Sequence, residues 1–297
     1  MQGTILVTGS MGHVGSELGE RVKLGGLNVR SLVRSEAQAN NAKRRGWTPV
    51  FGDLTKSESL TRAVDGVDFV LHCAAYLGPD LSTARAVNVE GTRLLAELSR
   101  RARVKRFVHI STLSVHGDPL PEVLDESSAL ATDDPTPYCS TKALGELALR
   151  EVSDDGLDTV ILRPGMICNV LRSQWGNEMI ERIRNLGWPD DVHPDDVMPW
   201  VHTSNLADMS WLALTHPAAV NETFIAVDQN VAFSHFLVPI ANALGQPVIP
   251  PKRAPIPTMC RLGKIATMLG YRPIHSFEET VGVLVQMARV SRNTHEN

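Results

Sequence analysis

The chain has 297 residues, a formal net charge of −4 and only 5% aromatic residues. This charge leaves no excess of basic side chains for a phosphate backbone, and few rings are present to stack on bases, so we expect no nucleic-acid partner. The four cysteines lie far apart without a CxxC pair, and no His/Cys spacing suits a metal, so we expect reduced thiols and no metal site. The N-terminus lacks a signal-peptide pattern, and no apolar run reaches the ~18 residues of a membrane span, which predicts a cytoplasmic protein without membrane contact.

Short β-branched runs alternate with segments of helical period through the first half of the chain. The first pair is TILVT and residues 15–24, and the series continues through LNVRSLV, VDFVLHCAA and KRFVHIST. This alternation predicts an α/β fold, in which helices cover both faces of a doubly wound parallel sheet. Because ligands of such sheets bind at the carboxyl ends of the strands, we expect the site at that edge.

Three glycines follow the first predicted strand in the stretch ILVTGSMGHVGSEL. Gly9 allows a sharp turn at the strand end, Gly12 lets the backbone approach a pyrophosphate, and Gly15 lets the next helix pack against the strand. The N-terminus of that helix then faces the phosphates. An ordinary strand-to-helix turn with three glycines is the alternative, but the strand before and the helix after favour a dinucleotide site.

Tyr138 and Lys142 are four residues apart in TPYCSTKALGELALREV, a segment of helical period, so their side chains share one helix face. A free tyrosine has a pKa near ~10, which is too high for proton exchange at neutral pH. A lysine charge ~4 Å away, in an effective dielectric of ~20, would stabilise the phenolate by roughly 4 kcal/mol, or about three pKa units. We therefore expect Lys142 to lower the pKa of Tyr138 toward neutrality, although a chance pair on an amphipathic helix would look the same.

Motifs along nearly the whole chain are similar to those of one known family. TGSMGHVG with YCSTK resembles the extended short-chain dehydrogenase/reductase family, which includes the NAD-dependent epimerase/dehydratase group. The resemblance continues through GDL, HCAA, NVEGT, STLSVHG, LRPG and VHTSNLAD. It implies an NAD(P)-dependent oxidoreductase with a Rossmann-type sheet in residues 1–164 and a returning segment at about 200–226. Residues 165–199 and 227–297 are left for a smaller C-terminal substrate domain.

The resemblance assigns catalytic roles to four residues. Tyr138 is implied to be the general acid or base, with Lys142 beside it. Thr112, four residues before the family's VYG tyrosine position, which is His116 here, is implied to hold the substrate oxygen. Asn88 of NVEGT matches an asparagine that positions the lysine. The implied cofactor-binding residues, most of them at or near the ends of predicted strands, are Gly9, Met11, Gly12, His13, Val14, Gly15, Arg34, Ser35, Asp53, Leu54, Ala74, Ala75, Tyr138, Lys142 and Pro164.

The end of the second predicted strand, LNVRSLVRSE, bears on the choice of cofactor. NAD-preferring relatives carry an acidic residue there for the ribose 2′-hydroxyl, whereas this chain has Val33 followed by Arg34. The planar guanidinium of Arg34 suits a 2′-phosphate, with Ser35 as a second donor. We therefore expect NADP(H), and NAD is the alternative if Arg34 is merely solvated.

The substrate is less clearly encoded. Nucleotide-sugar relatives grip a diphosphate with an arginine in an RDxxHVxDxA stretch, and Met198 occupies that position here in MPWVHTSNLA. Because a thioether carries no charge for a diphosphate, the sequence favours an uncharged, fairly apolar substrate. The expected substrate contacts are Tyr76, Ser114, Met166, Trp175 and Trp200, with further apolar residues, which core packing would equally explain, at Leu77, Ile167, Met179 and Trp188.

Three functions are compatible with these patterns. The sequence favours an NADPH-dependent carbonyl reductase, or the reverse alcohol dehydrogenase, that acts on a small-molecule ketone or alcohol. A nucleotide-sugar epimerase or dehydratase is disfavoured by Met198. A non-catalytic dinucleotide-sensing protein on the same fold is disfavoured by the set Thr112, Tyr138 and Lys142.

The predicted helices at 85–103 and 137–152 bear on oligomeric state. Relatives pair these helices into a four-helix interface. The second helix carries small and apolar residues beyond those needed to cover the sheet, at Ala143, Leu144, Leu147 and Ala148. We therefore expect a homodimer.

Overall fold

The computed structural model of the protein describes residues 2–171 and 173–293. The strands are β1 (Thr4–Thr8), β2 (Asn28–Val33), β3 (Thr48–Phe51), β4 (Phe69–His72), β5 (Arg106–Ile110), β6 (Val123–Leu124), β7 (Thr159–Pro164), β8 (Met166–Cys168), β9 (Val197–His202), β10 (Glu222–Ala226), β11 (Gln229–Ala232) and β12 (Met259–Cys260). The helices are α1 (His13–Leu24), α2 (Glu36–Arg44), α3 (Ser57–Val64), α4 (Leu81–Ala84), α5 (Gly91–Arg101), α6 (Pro137–Asp154), α7 (Asn177–Leu186), α8 (Thr203–Thr215), α9 (Phe233–Leu244), α10 (Lys264–Leu269) and α11 (Phe277–Asn293). A π-helical segment (Arg85–Glu90) joins α4 to α5, and 3-10 turns cover Leu113–His116 and Pro217–Ala219.

A seven-stranded parallel sheet forms the centre of the molecule, with the strand order β10-β7-β5-β4-β1-β2-β3. Every residue of β4, β5 and β7 is buried, as expected for strands that are covered on both faces. The strand order reverses beside β1, so the carboxyl ends of β1 and β4 open at the crevice where such sheets bind ligands. The predicted α/β class and doubly wound sheet are confirmed.

Two apolar layers sandwich this sheet. Side chains of α1, α2 and α8, among them Leu18, Ala42 and Leu206, pack on one face. Side chains of α3, α5 and α6, among them Leu60 and Leu95, pack on the other. Each helix turns an apolar stripe toward the strands, which is how helices of this length gain most of their stability.

A smaller layer covers the carboxyl edge of the sheet. Strands β8, β9 and β11 form a three-stranded sheet, which packs with α7, α9 and α11 around a separate apolar cluster. The chain returns to the large sheet through α8 and β10, within the segment expected to do so. Ile265 and Leu269 of α10 also pack in the core of the large sheet, although the proposed division assigns 227–297 to the smaller part.

The predicted helix at 85–103 differs from the observed one. The helical backbone begins earlier, at Leu81, and passes through the π-helical segment before ending at Arg101. A π turn adds one residue to the helical repeat, and such turns are frequent at functional sites. Asn88 lies inside it and is 2% exposed.

Candidate active site

A cavity of about 1150 Å³ runs along the carboxyl edge of the large sheet and under the smaller layer. Its walls come from the ends of β1, β2, β4, β5 and β7 and from the segments 173–199 and 233–258. The cavity therefore has one end built by the large sheet and one end built largely by the smaller layer.

The glycine turn after β1 forms the floor of the first end. Gly9 adopts φ +64°, and a Cβ there would lie 2.7 Å from the backbone nitrogen of Ala74. A Cβ on Gly15 would collide with the carbonyl oxygen of Gly9, so α1 packs directly against the turn. Only glycine satisfies both positions, since one needs the left-handed region and the other needs close backbone approach.

The N-terminus of α1 opens into the cavity. Gly12 caps the helix, and no side chain among residues 2–171 and 173–293 hydrogen-bonds the first turn as a cap. Helix N-termini with free N–H groups bind phosphates, so this end fits the pyrophosphate of a dinucleotide. Met11, His13 and Val14 line the same turn, and His13 Nε2 lies 2.9 Å from Thr203 Oγ1, which ties the turn to α8.

The outer part of this end, where an adenosine would lie, is formed by β2 and the loop after β3. Arg34 and Gln38 line it, and the Arg34 backbone N–H donates to Gln38 Oε1 at 2.7 Å. Asp53 also lines it, and the backbone N–H and hydroxyl of Thr55, with a smaller contribution from Arg34, lower the pKa of its carboxyl. Leu54, Ala74, Ala75 and Pro164 line the cavity as well.

Ser35 is the one expected cofactor residue outside the described cavity lining. Its hydroxyl caps α2 by accepting the backbone N–H of Gln38 at 3.3 Å. The position directly before a helix favours serine for this reason alone. Because the hydroxyl accepts in this cap, its own O–H is still available, so the role of Ser35 as a second donor to a phosphate stays a prediction.

The centre of the cavity brings Thr112, Tyr138 and Lys142 together. Thr112 follows β5 and lies close to Tyr138, and its side chain lowers the pKa of Tyr138 against the effect of burial. Tyr138 and Lys142 lie one turn apart near the start of α6, which begins at Pro137. Lys142 Nζ donates to the carbonyl oxygen of Ile110 at 2.9 Å and lies 3.1 Å from His109 Nε2.

The expected lowering of the Tyr138 pKa is not found. Burial raises the pKa of Tyr138 to about 12, and the nearby Thr112 side chain opposes only part of this rise. Burial also lowers the pKa of Lys142 to about 8, while Glu146 one turn further along α6 favours its charged form. Lys142 does not lower the pKa of Tyr138 as predicted, because burial strongly disfavours the phenolate and the hydrogen bonds of Lys142 go to β5.

Asn88 acts on the backbone around the site. Its side chain accepts the Tyr76 N–H at 2.7 Å, donates to the Tyr76 carbonyl oxygen at 3.0 Å and donates to Thr141 Oγ1 at 3.0 Å. It thus ties the loop after β4 to α6, one residue before Lys142. Asn88 lies outside the described cavity lining, so its effect on Lys142 is indirect.

The predicted substrate contacts divide into two groups. Ser114, Met166 and Trp175 line the cavity. Trp200 instead lies in the core of the smaller layer, 1% exposed, with its ring 5.3 Å from that of Phe277. Tyr76 lies beside Gly78 rather than in the described cavity lining. Of the further apolar residues, Leu77 and Ile167 line the cavity, whereas Met179 and Trp188 are buried in the core.

Trp200 was expected at the site as one of the residues of its apolar wall, and it lies two residues after Met198. Along a strand, successive side chains point to opposite faces, but those of residues two apart share a face. Met198 lines the cavity and Trp200, two residues further along β9, packs against α11. The strand direction carries Trp200 past the edge of the cavity, which no local pattern shows.

The structure adds residues that the sequence did not single out. Arg253 lines the cavity and donates to both carboxylate oxygens of Asp196, at 2.8 and 2.5 Å, and to the carbonyl oxygen of Asp191 at 2.7 Å. Phe233 adds an aromatic ring to the wall beside Trp175, with centroids 5.9 Å apart. The cluster PKRAPIP around Arg253, a cation between prolines, was the available signal.

The described part of the chain offers neither a metal-ligand cluster nor a candidate membrane span. Residues 2–171 and 173–293 contain no group of three or more His, Cys, Asp or Glu side chains arranged to hold a metal ion. Within the same ranges, no helix has the length and apolar character that crossing a membrane requires.

Comparison with known proteins identifies the family to which the chain belongs. The sequence model of the NAD dependent epimerase/dehydratase family matches residues 5–226. A 4-hydroxy-2-methyl-3-oxo-4-farnesyl-3,4-dihydroquinoline-1-oxide ketoreductase from Stigmatella aurantiaca is 34% identical over 186 residues, which cover 60% of this chain and 54% of that protein. The match thus spans about half the length of that relative. UDP-glucose 4-epimerase from Vibrio cholerae is 27% identical over 274 residues, 88% of this chain and 80% of that protein.

A solved structure extends the likeness to the whole fold. A short-chain dehydrogenase/reductase superfamily protein from Agrobacterium tumefaciens, crystallised with bound NAD, superposes with a TM-score of 0.81 at 28% identity and covers 99% of both chains. The family match reaches from β1 to β10 and so includes the glycine turn and the Thr112, Tyr138 and Lys142 set. The chain belongs to the NAD dependent epimerase/dehydratase family, a group of the extended short-chain dehydrogenase/reductase type.

Proposed function

We propose that this enzyme is an NADPH-dependent carbonyl reductase, or the reverse alcohol dehydrogenase, for an uncharged and fairly apolar substrate. The observation that carries the proposal is that Thr112 and Tyr138 lie together in the cavity, close enough for the Thr112 side chain to lower the pKa of Tyr138 against the effect of burial. On one side lies the glycine turn, and on the other an apolar wall that includes Met166, Trp175 and Phe233.

The charges of the second end support an uncharged substrate. The carboxylates of Asp118 and Glu178 line the cavity, and they would repel a diphosphate. Arg253 also lines this end, but Asp196 and the Asp191 carbonyl take up its guanidinium. Met198 replaces a cation with a buried thioether. A ketone carries no charge, so it is not repelled by these carboxylates and needs no cation. Burial of its apolar surface against the apolar wall is favourable.

The proposed mechanism assigns one step to each polar group. A nicotinamide cofactor, which the glycine turn and Arg34 would hold, would supply the hydride for the carbonyl carbon. The Thr112 hydroxyl orients the carbonyl oxygen, and Tyr138 donates its proton to that oxygen as the alcohol forms. The raised pKa of Tyr138 keeps the hydroxyl protonated before the step. Lys142 lies one turn further along α6 and lines the same cavity, so its third N–H would be the cation to offset the phenolate charge once the proton has left.

NADP(H) is the proposed cofactor because of Arg34. Its guanidinium lines the outer part of the cavity at the end of β2, where Val33 offers no acceptor to a ribose hydroxyl. Arginine forks bind phosphates with paired charge-assisted hydrogen bonds. NAD, which the Agrobacterium tumefaciens protein binds, is the alternative.

A nucleotide-sugar epimerase is the second candidate, and one observation favours it. The Vibrio cholerae UDP-glucose 4-epimerase aligns over 88% of this chain, and Arg253 would supply a cation if it left Asp196. Calorimetry with UDP, UDP-glucose and dTDP-glucose separates the two functions. We expect no heat of binding at micromolar concentrations, and micromolar affinity for any of the three would favour an epimerase or dehydratase instead.

A carbonyl screen tests the main proposal. Purified protein with NADPH is offered bulky apolar ketones, and the loss of the reduced-nicotinamide absorbance is followed. The farnesyl-bearing ketone in the name of the Stigmatella aurantiaca ketoreductase indicates one chemical class to include. Turnover of apolar ketones but not of anionic ones supports the proposal. Turnover of nucleotide sugars alone contradicts it.

A further inference from the structure

Two histidines lie buried beneath the active-site lysine, side by side on neighbouring strands. His72 of β4 and His109 of β5 are register partners, with ring centroids 5.1 Å apart. They are 0% and 1% exposed, respectively. The proposed mechanism uses neither ring. Burial of an imidazole is costly unless its nitrogens are hydrogen-bonded, so the partners of each ring indicate its role.

His72 is satisfied by structural partners. Its Nδ1 lies 2.7 Å from Thr8 Oγ1 and its Nε2 lies 3.0 Å from Thr92 Oγ1. These contacts tie β4 to β1 and α5. His72 therefore has a complete role in the fold without reference to the cavity.

His109 is bonded differently. Its Nε2 lies 3.1 Å from Lys142 Nζ, and its Nδ1 has no hydrogen-bond partner within residues 2–171 and 173–293. An ammonium group only donates, so Nε2 must accept and the ring proton must be on Nδ1. The ring thus leaves a buried N–H unpaired in order to offer its lone pair to Lys142, and a buried unpaired donor is unfavourable for folding alone.

We propose that His109 is a positioning residue, which together with the Ile110 carbonyl holds the Lys142 ammonium so that its third donor is left for the cavity. Lys142 lines the cavity, and two of its three N–H groups are accounted for by β5. The inference rests on the proposed function of Lys142 as the cation beside Tyr138. Loss of the Nε2 acceptor removes one of the interactions that favour the charged lysine.

The change in the Lys142 pKa can be measured because the thiol and imidazoles beside the lysine are neutral in the same pH range. Glu146 on α6 is buried and bonded to Arg163 and Ser111. Burial raises the pKa of Cys73, after β4, to about 12, and lowers the pKa of His72 to about 3. Burial, with a smaller contribution from Lys142, lowers the pKa of His109 well below its usual range. These shifts keep the thiol and both rings neutral, so a titration near the Lys142 pKa of about 8 reports the lysine.

The test measures the ionisation of Lys142 in the protein alone, by NMR of lysine labelled with ¹³C at Cε. The resonance is identified by its loss in Lys142→Met. In His109→Phe we expect the Lys142 pKa to fall by about one unit, a tenfold change in its ionisation constant. His109→Gln, whose amide oxygen can accept from Nζ, should restore the wild-type value. His72→Gln is the matched control, because it alters the neighbouring ring without removing an acceptor of Lys142, and it should leave the pKa unchanged.

An unchanged Lys142 titration in folded His109→Phe would overturn the inference. If that variant does not fold, His109→Leu serves the same purpose and has the same two outcomes. The NMR measurement needs neither cofactor nor substrate, so it can succeed even if the enzyme reduces no ketone. Where a substrate is found, the alkaline limb of the kcat/KM profile should move by the same amount in His109→Phe and return in His109→Gln.

Discussion

The two ends of the cavity are built in different ways. At the dinucleotide end, the shape comes from backbone: a left-handed Gly9, close contact at Gly15 and the free N–H groups of α1. At the substrate end, the shape comes from side chains of separate segments, including Met166, Trp175 and Phe233. The first end depends on a few consecutive residues and the second on tertiary packing. A motif therefore identifies the cofactor class well and the substrate poorly.

Tyr138 stands where the two ends meet, and its removal should have the largest effect. Tyr138→Phe removes the proton donor but leaves the glycine turn intact. Turnover should fall by about 10² to 10⁴, with dinucleotide affinity little changed. Steady-state kinetics and a fluorescence titration with NADPH measure the two quantities. Tyr76→Phe is the matched control, because that ring lies outside the described cavity lining, and it should retain activity. Full activity in Tyr138→Phe would show that another group transfers the proton.

Burial of the Lys142 charge in the site should lower the free energy of unfolding. Its pKa falls from 10.5 to about 8 on folding, so between these values the unfolded chain binds more protons and stability rises with pH. Below pH ~8 Lys142 is charged in both the folded and the unfolded chain, so the folded protein bears the full cost of burying the charge, about 3 kcal/mol. Lys142→Met should therefore stabilise the protein by up to about 3 kcal/mol at neutral pH, and the gain should disappear as the pH approaches the unfolded value.

Urea unfolding of Lys142→Met at neutral pH and near pH ~10 measures this difference. Lys43→Met, at an exposed position on α2, is the control and should change stability little. A less stable Lys142→Met at neutral pH would mean that the bonds to Ile110 and His109 outweigh the desolvation of the charge.

The sequence predicted the sheet and the dinucleotide end because their signals are local. Alternating apolar runs fixed the strands, and the glycine spacing located the turn after β1. The pair Tyr138 and Lys142 was found from helical spacing, but the pKa of Tyr138 was not, since desolvation depends on residues distant in sequence. Trp200 was misplaced and Arg253 was missed for a related reason. Which side of a packed layer a residue faces depends on the packing of β9 and on the return of the chain after α9.

Replacement of Arg34 tests whether the outer part of the dinucleotide end binds a 2′-phosphate. The wild-type enzyme should prefer NADPH in kcat/KM. Arg34→Ala should lower NADPH use by about 10- to 100-fold, the equivalent of roughly 1.5 to 3 kcal/mol for hydrogen bonds to a charged group. NADH use should change little. Arg44→Ala, an exposed arginine of α2, is the control for a general loss of positive charge. Equal weakening of both cofactors would indicate that Arg34 only stacks on the adenine, and a wild-type preference for NADH would assign NAD.

Substitutions on the outer face of α6 should have the smallest effect, and they should change the association of two chains rather than catalysis. The structure corrects part of the expected interface, because Ala143 and Ala148 are already buried within the chain, at 0% and 1% exposure. Leu147 is 38% exposed and Leu144 is half-buried, so these two residues remain for a partner. If the wild-type protein is a dimer through this face, Leu147→Arg should weaken association by about tenfold. Each of the two protomers would lose a leucine that has only its 38% exposed part left to bury, roughly 0.7 kcal/mol per copy. Leu186→Arg, at an 80% exposed position on α7, is the matched control and should leave the dimer unchanged. Sedimentation at micromolar concentration measures the mass. A monomeric wild type, or a dimer that Leu147→Arg leaves intact, would show that the helix carrying Tyr138 and Lys142 is not part of an interface.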